Sequence, residues 1–222
     1  MKVLITALTL LLVFNVHGQI QFGLFAGPQI TGVHYKVNNI KQESSLKAGI
    51  NIGAQLKVPF ENRLSFAPSM MYNLRGYKVN FTGKSFPPDS TAIDNNTSFH
   101  TVELAFLLQH DFNLEPGHAF IRLGPSLDFA LFGNEKYNTA NSSVDRKMKF
   151  SFGDYGHYLA SVIIQLGYEM KNGVFFYGHY NYSLTSMNNA DLGPKIGNRA
   201  AGISIGKYLN SKKIVLNTKN NQ

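Results

Sequence analysis

The chain has 222 residues, of which 15% are charged and 13% are aromatic, and it contains 20 glycines and no cysteine. This length suits one domain with a sizeable core, and the composition is unsuited to a helical enzyme or a disordered chain. The lack of cysteine excludes disulfides, thiolate metal sites, a cysteine nucleophile and a lipid-anchored N-terminus. The formal net charge of +8 comes from basic residues scattered singly, so no nucleic-acid partner is predicted.

The N-terminus has the pattern of a secretory signal peptide. Lys2 precedes the apolar run VLITALTLLLVF, and compact residues follow at the positions that a signal peptidase reads. The run is too short to cross a bilayer as a helix. We therefore predict a signal peptide at residues 1–18 and a mature chain beginning at Gln19, with a buried N-terminal helix as the alternative.

From residue 20 onward, apolar residues alternate with small or polar residues with a period of two, which is typical of β-strands with one apolar face. The clearest case is AFIRLGPSLDFAL at residues 119–131. Eight such strands are predicted, at about residues 20–31, 46–58, 63–75, 99–113, 119–131, 157–169, 174–185 and 201–208.

The connections between these strands alternate between long and short. Long polar loops are predicted at residues 33–45, 78–98, 133–153 and 186–198.

Two of the short connections carry turn residues. A tight turn centred on Pro116 and Gly117 would place Asp111 opposite Arg122. At residues 171–173, face parity favours a three-residue loop with a glycine bulge.

Strands of this number and spacing predict an all-β fold, an eight-stranded antiparallel up-and-down transmembrane β-barrel with its N-terminus in the periplasm. A soluble lipocalin-like barrel would have the same alternation with the faces reversed. The polar face is mostly Gly, Ser, Ala, Asn, Gln and Thr, which suits a narrow interior better than a surface in bulk water. We therefore assign the polar face to the interior and the apolar face to lipid.

The charged residues of the polar face nearly balance and predict a plugging network of ion pairs rather than a charge-selective conduit. The aromatic residues of the other face predict lipid-facing girdles. The interior set is Lys47, Lys57, Arg63, Arg75, Glu103, Asp111, Arg122, Asp128 and Glu169, and the lipid-facing set is Phe22, Tyr72, Phe112, Phe129, Tyr158, Tyr168, Phe176 and Tyr182.

Five segments resemble those of the PorT-like "porin family" outer-membrane β-barrel proteins: VELAFLLQHDF at 102–112, RLGPSLDFALFG at 122–133, DYGHYLASVIIQLGYEM at 154–170, HYNYSLTSM at 179–187 and NRAAGISIGKYL at 198–209. The resemblance runs from about Phe22 to Tyr208 and implies the outer membrane of a Gram-negative bacterium, without implying an open pore. These barrels usually stop at an aromatic residue that ends the last strand. A barrel domain at residues 19–209 with a polar tail at 210–222 departs from that pattern.

No catalytic residue or cofactor is predicted, because neither His157 nor His179 has a serine and an acid at an evident triad spacing. No metal site is predicted, because His100, His110 and His118 do not form a metal-ligand spacing on one strand face. The predicted role is structural or interaction-based, exercised through the long loops, with outer-membrane lipids as partners. The alternatives are a soluble periplasmic ligand-binding barrel, an accessory component of a secretion system and a lipid-modifying outer-membrane enzyme.

Overall fold

The computed structural model describes residues 20–191 and 193–209, which form ten β-strands. The predicted signal peptide and polar tail lie outside the described residues. Within these residues, no helix is long and apolar enough to cross a membrane. The strands are β1 (Gln21–Val37), β2 (Ile40–Lys41), β3 (Glu43–Glu61), β4 (Leu64–Asn80), β5 (Asp94–Asp111), β6 (His118–Asn138), β7 (Ser143–Lys147), β8 (Tyr158–Glu169), β9 (Val174–Ser183) and β10 (Lys195–Tyr208).

Eight of these strands form a closed ring, and every pairing within it is antiparallel. Neighbours in sequence pair in the order β1, β3, β4, β5, β6, β8, β9 and β10, and β10 returns to pair with β1 from Gly23 opposite Tyr208 to Lys36 opposite Lys195. The short strands β2 and β7 extend the hairpins of β1 and β6. This confirms the predicted all-β, eight-stranded, up-and-down barrel, whose closure leaves no unpaired sheet edge.

The apolar face points outward and the polar face points inward. Leu24, Ile52 and Leu127 on the outer face are 47%, 54% and 45% exposed. Arg122 and Gln109 on the inner face are 1% and 0% exposed. A soluble barrel would bury the first group and expose the second, so this arrangement contradicts the lipocalin-like alternative.

The predicted long loops are in part continuous β-ribbons. β1 runs on to Val37, and the chain turns through Asn38 and Asn39, whose φ angles of 47° and 62° are those of a type I′ hairpin turn. The prediction of a polar loop at 33–45 was therefore wrong. Val33, Tyr35 and Val37 face inward and are buried, as is Gln42, whereas Lys36 and Lys41 face outward.

The sequence predicted the registers of two hairpins, and the structure confirms one register and contradicts the other. Gln165 faces His179 across β8 and β9, and Gly173 has a φ angle of 79°, as the glycine-bulge loop requires. Between β5 and β6, however, Asp111 faces Phe120, and Gln109 faces Arg122. The predicted pairing was wrong because residues 112–117 all lie in the connection, which shifts the register by two and leaves each face unchanged.

The outward assignment can be tested on β6 with two exposed positions. Leu127→Arg places a charge within the apolar outer face, and we expect it to lower the free energy of unfolding in lipid vesicles by about 2 to 4 kcal/mol. Asn134→Arg, beyond the apolar part of the same strand, should cost less than about 1 kcal/mol. Unfolding would be followed in urea by heat-modifiable gel mobility, and equal costs at both positions would reverse the assignment.

Candidate functional site

The barrel interior is filled by successive layers of side chains, and the first layer closes the end that carries the short turns. Lys57 Nζ lies 3.0 Å from Asp111 Oδ2 and 2.9 Å from Glu169 Oε2. His118 Nε2 lies 3.3 Å from Asp111 Oδ1 and 3.6 Å from Glu169 Oε2. Four strands thus converge on one buried charged cluster, of which the sequence analysis missed His118 because that residue follows turn residues directly.

The second layer is built around Arg122, which has amide and hydroxyl partners. Its Nε donates to Gln109 Oε1 at 2.6 Å, and Nη1 donates to Gln55 Oε1 at 2.9 Å and to Gln165 Oε1 at 3.1 Å. Its Nη2 donates to the Tyr208 hydroxyl at 3.1 Å. Every one of these partners is neutral. The prediction that Arg122 pairs with Asp111 was therefore wrong, because Asp111 contacts Lys57 and His118 in the first layer.

Aromatic rings complete the environment of Arg122. Its guanidinium carbon lies 4.2 Å from the centroid of the Phe120 ring, 5.7 Å from that of Phe175 and 5.6 Å from that of Tyr177. The negative faces of aromatic rings attract a cation most strongly where water is excluded. Buried rings and amide oxygens therefore take the place of water around this charge.

The third layer is a buried triad in which two carboxylates share one guanidinium. Arg75 Nη2 lies 2.5 Å from Glu103 Oε2, and Arg75 Nη1 lies 3.0 Å from Asp128 Oδ2. All three side chains are at most 4% exposed. Amides cover the Glu103 carboxylate, because Asn73 Nδ2 and Asn181 Nδ2 donate to it at 2.9 and 2.6 Å.

The space left beside this triad is small. A cavity of about 10 Å³ lies between Arg75, Glu103, Met71 and Tyr177. That volume holds about one water molecule. The layer therefore leaves no room for a continuous column of water at this depth.

The fourth layer is an apolar and aromatic core beyond the triad, which we call the apical core. Sequence analysis missed it because more than half of its members lie in segments that were interpreted as polar loops, although alternation in VHYKV and YKV was a usable signal. Its buried members are Val33, Tyr35, Val37, Tyr77, Val79, Phe99, Ala130, Met148, Tyr155, Leu159, Met187 and Ile196.

A bulge in β6 brings one more carboxylate inside at this level. His100 pairs with Phe132 and Thr101 with Ala130, so Leu131 is the extra residue, and the inward parity changes beyond it. Glu135 thereby becomes completely buried.

The segment at residues 81–93 is tied to the barrel mouth. The Tyr35 hydroxyl lies 2.7 Å from Ser85 Oγ and donates to the Pro87 carbonyl oxygen at 2.9 Å. Arg146 Nη2 donates to the Pro88 carbonyl oxygen at 2.7 Å. These bonds hold the segment against the apical core.

Glu135 links that segment to the apical core. Arg146 Nε and the Tyr155 hydroxyl each donate to the Glu135 carboxylate at 2.8 Å. Burial raises the pKa of Glu135, and the bonds from Tyr155 and Arg146 oppose that rise. Both donors therefore favour the charged form of this buried carboxylate.

Two residues assigned to the interior network lie elsewhere. Arg63 is exposed in the turn after Glu61, where its Nη1 donates to the Phe112 carbonyl oxygen at 2.9 Å. Lys47 is half-buried and donates to Asn96, Ser98 and the Thr97 carbonyl oxygen. Both assignments were wrong, because the chain turns before Arg63 and the register of β3 shifts between Leu46 and Ile50.

The aromatic residues assigned to lipid lie on the outer face in two groups. Near the short turns lie Phe22, Phe112, Tyr168 and Phe176, with the last two rings stacked 6.0 Å apart. Towards the ribbons lie Tyr72, Phe129, Tyr158 and Tyr182, with Phe129 and Tyr158 edge to face at 5.4 Å.

Comparison with known proteins gives one family match. The model of the family described as "Outer membrane protein beta-barrel domain" matches residues 14–189. No curated protein matches the chain.

Several solved structures are similar in fold. Neisserial surface protein A is 10% identical, with 86% of this chain and 99% of that chain covered and a TM-score of 0.47. Ail of Yersinia pestis is 14% identical, with 85% and 99% covered and a TM-score of 0.43. OprG of Pseudomonas aeruginosa is 10% identical, with 86% and 97% covered and a TM-score of 0.47.

The buried triad predicts a large stability difference between two arginines. Arg75→Met leaves two buried carboxylates without their guanidinium, so we expect a loss of about 3 to 5 kcal/mol in the free energy of unfolding. Arg63→Met, in the exposed turn, should change it by less than about 0.5 kcal/mol. Urea titrations of both variants in the same detergent would measure this.

A third variant separates the effect of the unpaired carboxylate charges from the effect of the lost Arg75 side chain. Arg75→Met combined with Glu103→Gln and Asp128→Asn removes the uncompensated charges and should recover part of the loss. If Arg75→Met unfolds at the same urea concentration as Arg63→Met, the triad does not support the barrel.

Proposed function

From the premise that the chain belongs to the outer membrane protein β-barrel domain family, we propose that it is a closed barrel that acts through its extracellular surface. Its location is the outer membrane of a Gram-negative bacterium. In such barrels the short turns lie in the periplasm and the longer connections outside the cell. The ends of β4, β5 and β6 that carry the ribbons are accordingly extracellular.

The filled interior is the observation that carries this proposal. An eight-stranded barrel has room only for side chains. Here the Lys57 cluster, the Arg122 layer, the Arg75 triad and the apical core fill it in succession. These layers support a protein that does not conduct solutes.

The extracellular ribbons offer a surface for contact with a partner. Several large apolar side chains are exposed there, including Ile40 at the tip of the first hairpin and Phe152, which is 90% exposed. Phe86 and Ile93, in and beside the segment over the mouth, are also exposed. Large apolar side chains that are exposed outside the membrane are available for contact with a partner, which supports a role in binding a partner of the cell surface.

The contacts of the serines and histidines support a protein without enzymatic activity. Ser161 Oγ donates to Asp128 at 3.4 Å, and Ser183 Oγ donates to the Thr185 carbonyl oxygen at 2.6 Å. His157 Nδ1 lies 2.9 Å from the Ala130 carbonyl oxygen. Among the described residues, no histidine is hydrogen-bonded to a serine, as a nucleophile and its base would be.

Membership of the PorT-like branch is part of the proposal. It is supported by the segments at 102–112, 122–133 and 154–170, which lie on β5, β6 and β8. A role as an accessory component of a secretion system would follow from that membership and uses the same extracellular surface.

A closed interior predicts the electrical behaviour of the protein. In planar bilayers, the purified full chain should give no stable single-channel current, because side chains occupy the lumen at four levels. Insertion would be verified in the same preparation by heat-modifiable mobility and by protection from trypsin. A reproducible, large single-channel current would overturn the closed barrel.

The absence of lipid-modifying activity can be measured in cells. Lipid A from cells that lack the protein and from cells that overproduce it should have identical mass spectra. An overproduced Arg75→Met variant provides a control for effects of membrane stress. A change in acylation produced by the wild-type chain alone would identify an enzyme.

A further inference from the structure

Four cations form a patch on the outer surface where β10, β1 and β2 meet, and we call it the cationic patch. Lys36 lies directly opposite Lys195 of β10 on one side and Lys41 of β2 on the other. Arg199 lies on the same face, opposite Gly32. Directly opposed residues share one face of an antiparallel sheet, so the three lysines form a continuous row.

The four side chains of the cationic patch all carry the same sign of charge. Within the part of the chain that the structure describes, none of the four cations forms a salt bridge with a carboxylate. On the other side of the barrel, by contrast, Lys136 lies opposite Asp145. Like charges placed directly opposite are unfavourable in an isolated sheet, so the row suits an external anion.

The histidine beside the patch responds to these charges. Burial, and then the positive charges of Lys36, Lys41 and Arg199, lower the pKa of His34. Three cations from three strands therefore act on a single point of the outer surface.

An apolar groove begins below the patch on β1 and β10 and extends onto β3, β8 and β9. It has a volume of about 760 Å³. Small side chains form the floor of the groove, and larger side chains form its walls. Its lining includes Pro28, Ile30, Ala48, Gly178, Tyr180 and Ala201.

The register fixes the distance between groove and patch. Ile30 pairs with Ala201 in the groove, and Gly32 pairs with Arg199 two residues further along. At about 3.3 Å per residue, Arg199 lies about 7 Å above Ala201, and Lys195 lies about 20 Å above it. This span matches a lipid that lies along the strands with its headgroup at the membrane boundary.

We propose that the cationic patch and the apolar groove form one binding site for a phosphorylated, acylated lipid of the outer leaflet. An acyl chain occupies the groove, and the headgroup phosphates lie against Arg199, Lys36 and Lys195. Guanidinium and ammonium groups both bind phosphate, and arginine does so with two parallel hydrogen bonds. The assignment rests on the proposed orientation, in which this end of the barrel faces the cell exterior.

The groove is what favours a lipid over a soluble polyanion. A polyanion would need the cations alone, whereas an acylated lipid uses the apolar surface immediately beneath them. Each basic residue near a membrane surface strengthens the binding of an anionic lipid by about fivefold. Removal of two cations should therefore weaken binding by about 25-fold.

The test compares two double variants of the full chain in detergent micelles. The ligands are bis-phosphorylated lipid A and the same lipid without phosphates, and binding is measured by native mass spectrometry. Lys36→Gln with Lys195→Gln should bind the phosphorylated lipid about 25-fold more weakly than wild type does. The control, Lys136→Gln with Lys147→Gln on the other side of the barrel, should change binding less than twofold.

Ala201→Phe fills the groove and leaves the cations in place. It should weaken binding of both lipids and leave the binding of inorganic polyphosphate unchanged. Equal binding of the two lipids by wild type, or equal effects of the two double variants, would overturn the proposal. Complete competition by polyphosphate with no effect of Ala201→Phe would assign the patch to a soluble polyanion instead.

A separate measurement tests the orientation. The chain has no cysteine, so Asn38→Cys introduces a single thiol at the tip of the first hairpin. A membrane-impermeant maleimide should label this thiol in intact cells. Labelling only after permeabilisation would overturn the orientation, and with it the proposed function, whereas loss of lipid selectivity with normal labelling would overturn the lipid site alone.

Discussion

The side chains that face inward in this protein pack together in a lumen that eight strands leave only wide enough for side chains. The closure of β1 onto β10 imposes this constraint, because it removes both sheet edges and places opposite walls within reach of one another. Gln55 and Tyr208 are 153 residues apart in the chain, and they are hydrogen-bonded at 2.9 Å. The interior is accordingly a packed core in which polar layers alternate with apolar and aromatic side chains.

Two buried arginines show how differently such a core can hold the same charge. Arg75 has two carboxylates, so its desolvation is offset by ion pairs, and amides from β4 and from β9 across the barrel complete them. Arg122 has glutamine oxygens, a tyrosine hydroxyl and three aromatic rings. The first arrangement depends on charge balance and the second on the density of neutral dipoles, so their variants should differ in sensitivity to the protonation of nearby acids.

The outer surface follows a different rule, since its partner is the membrane. Apolar residues cover it from the short turns to about Ile30 on β1, and the cations Arg199 and Lys36 follow within six residues. The same strands therefore carry an apolar groove and, above it, charges without a carboxylate partner among the described residues. Where the ribbons continue beyond this boundary, the inward face becomes the apical core and supports the segment over the mouth.

The sequence by itself determined the fold class and the face of most residues. Alternation is a local property of one strand, since successive side chains point to opposite sides of a sheet whatever lies next to it. That is why residues 119–131 were enough to separate Leu127 from Asp128. The same logic would have extended β1 to Val37, had polar composition not been weighed above the alternation of Val33, Tyr35 and Val37.

Only the tertiary structure decided which residues meet. Partners depend on the stagger between strands and on where each strand ends, and a shift of two residues leaves every face unchanged while it replaces every partner. Arg122 therefore faces Gln109 instead of Asp111, and Arg63 lies in an exposed turn although its parity is inward. The shared guanidinium of Arg75 depends on the registers of three neighbouring strands, because Glu103 lies directly opposite Asp128 across β5 and β6, and β4 brings Arg75 within reach of both.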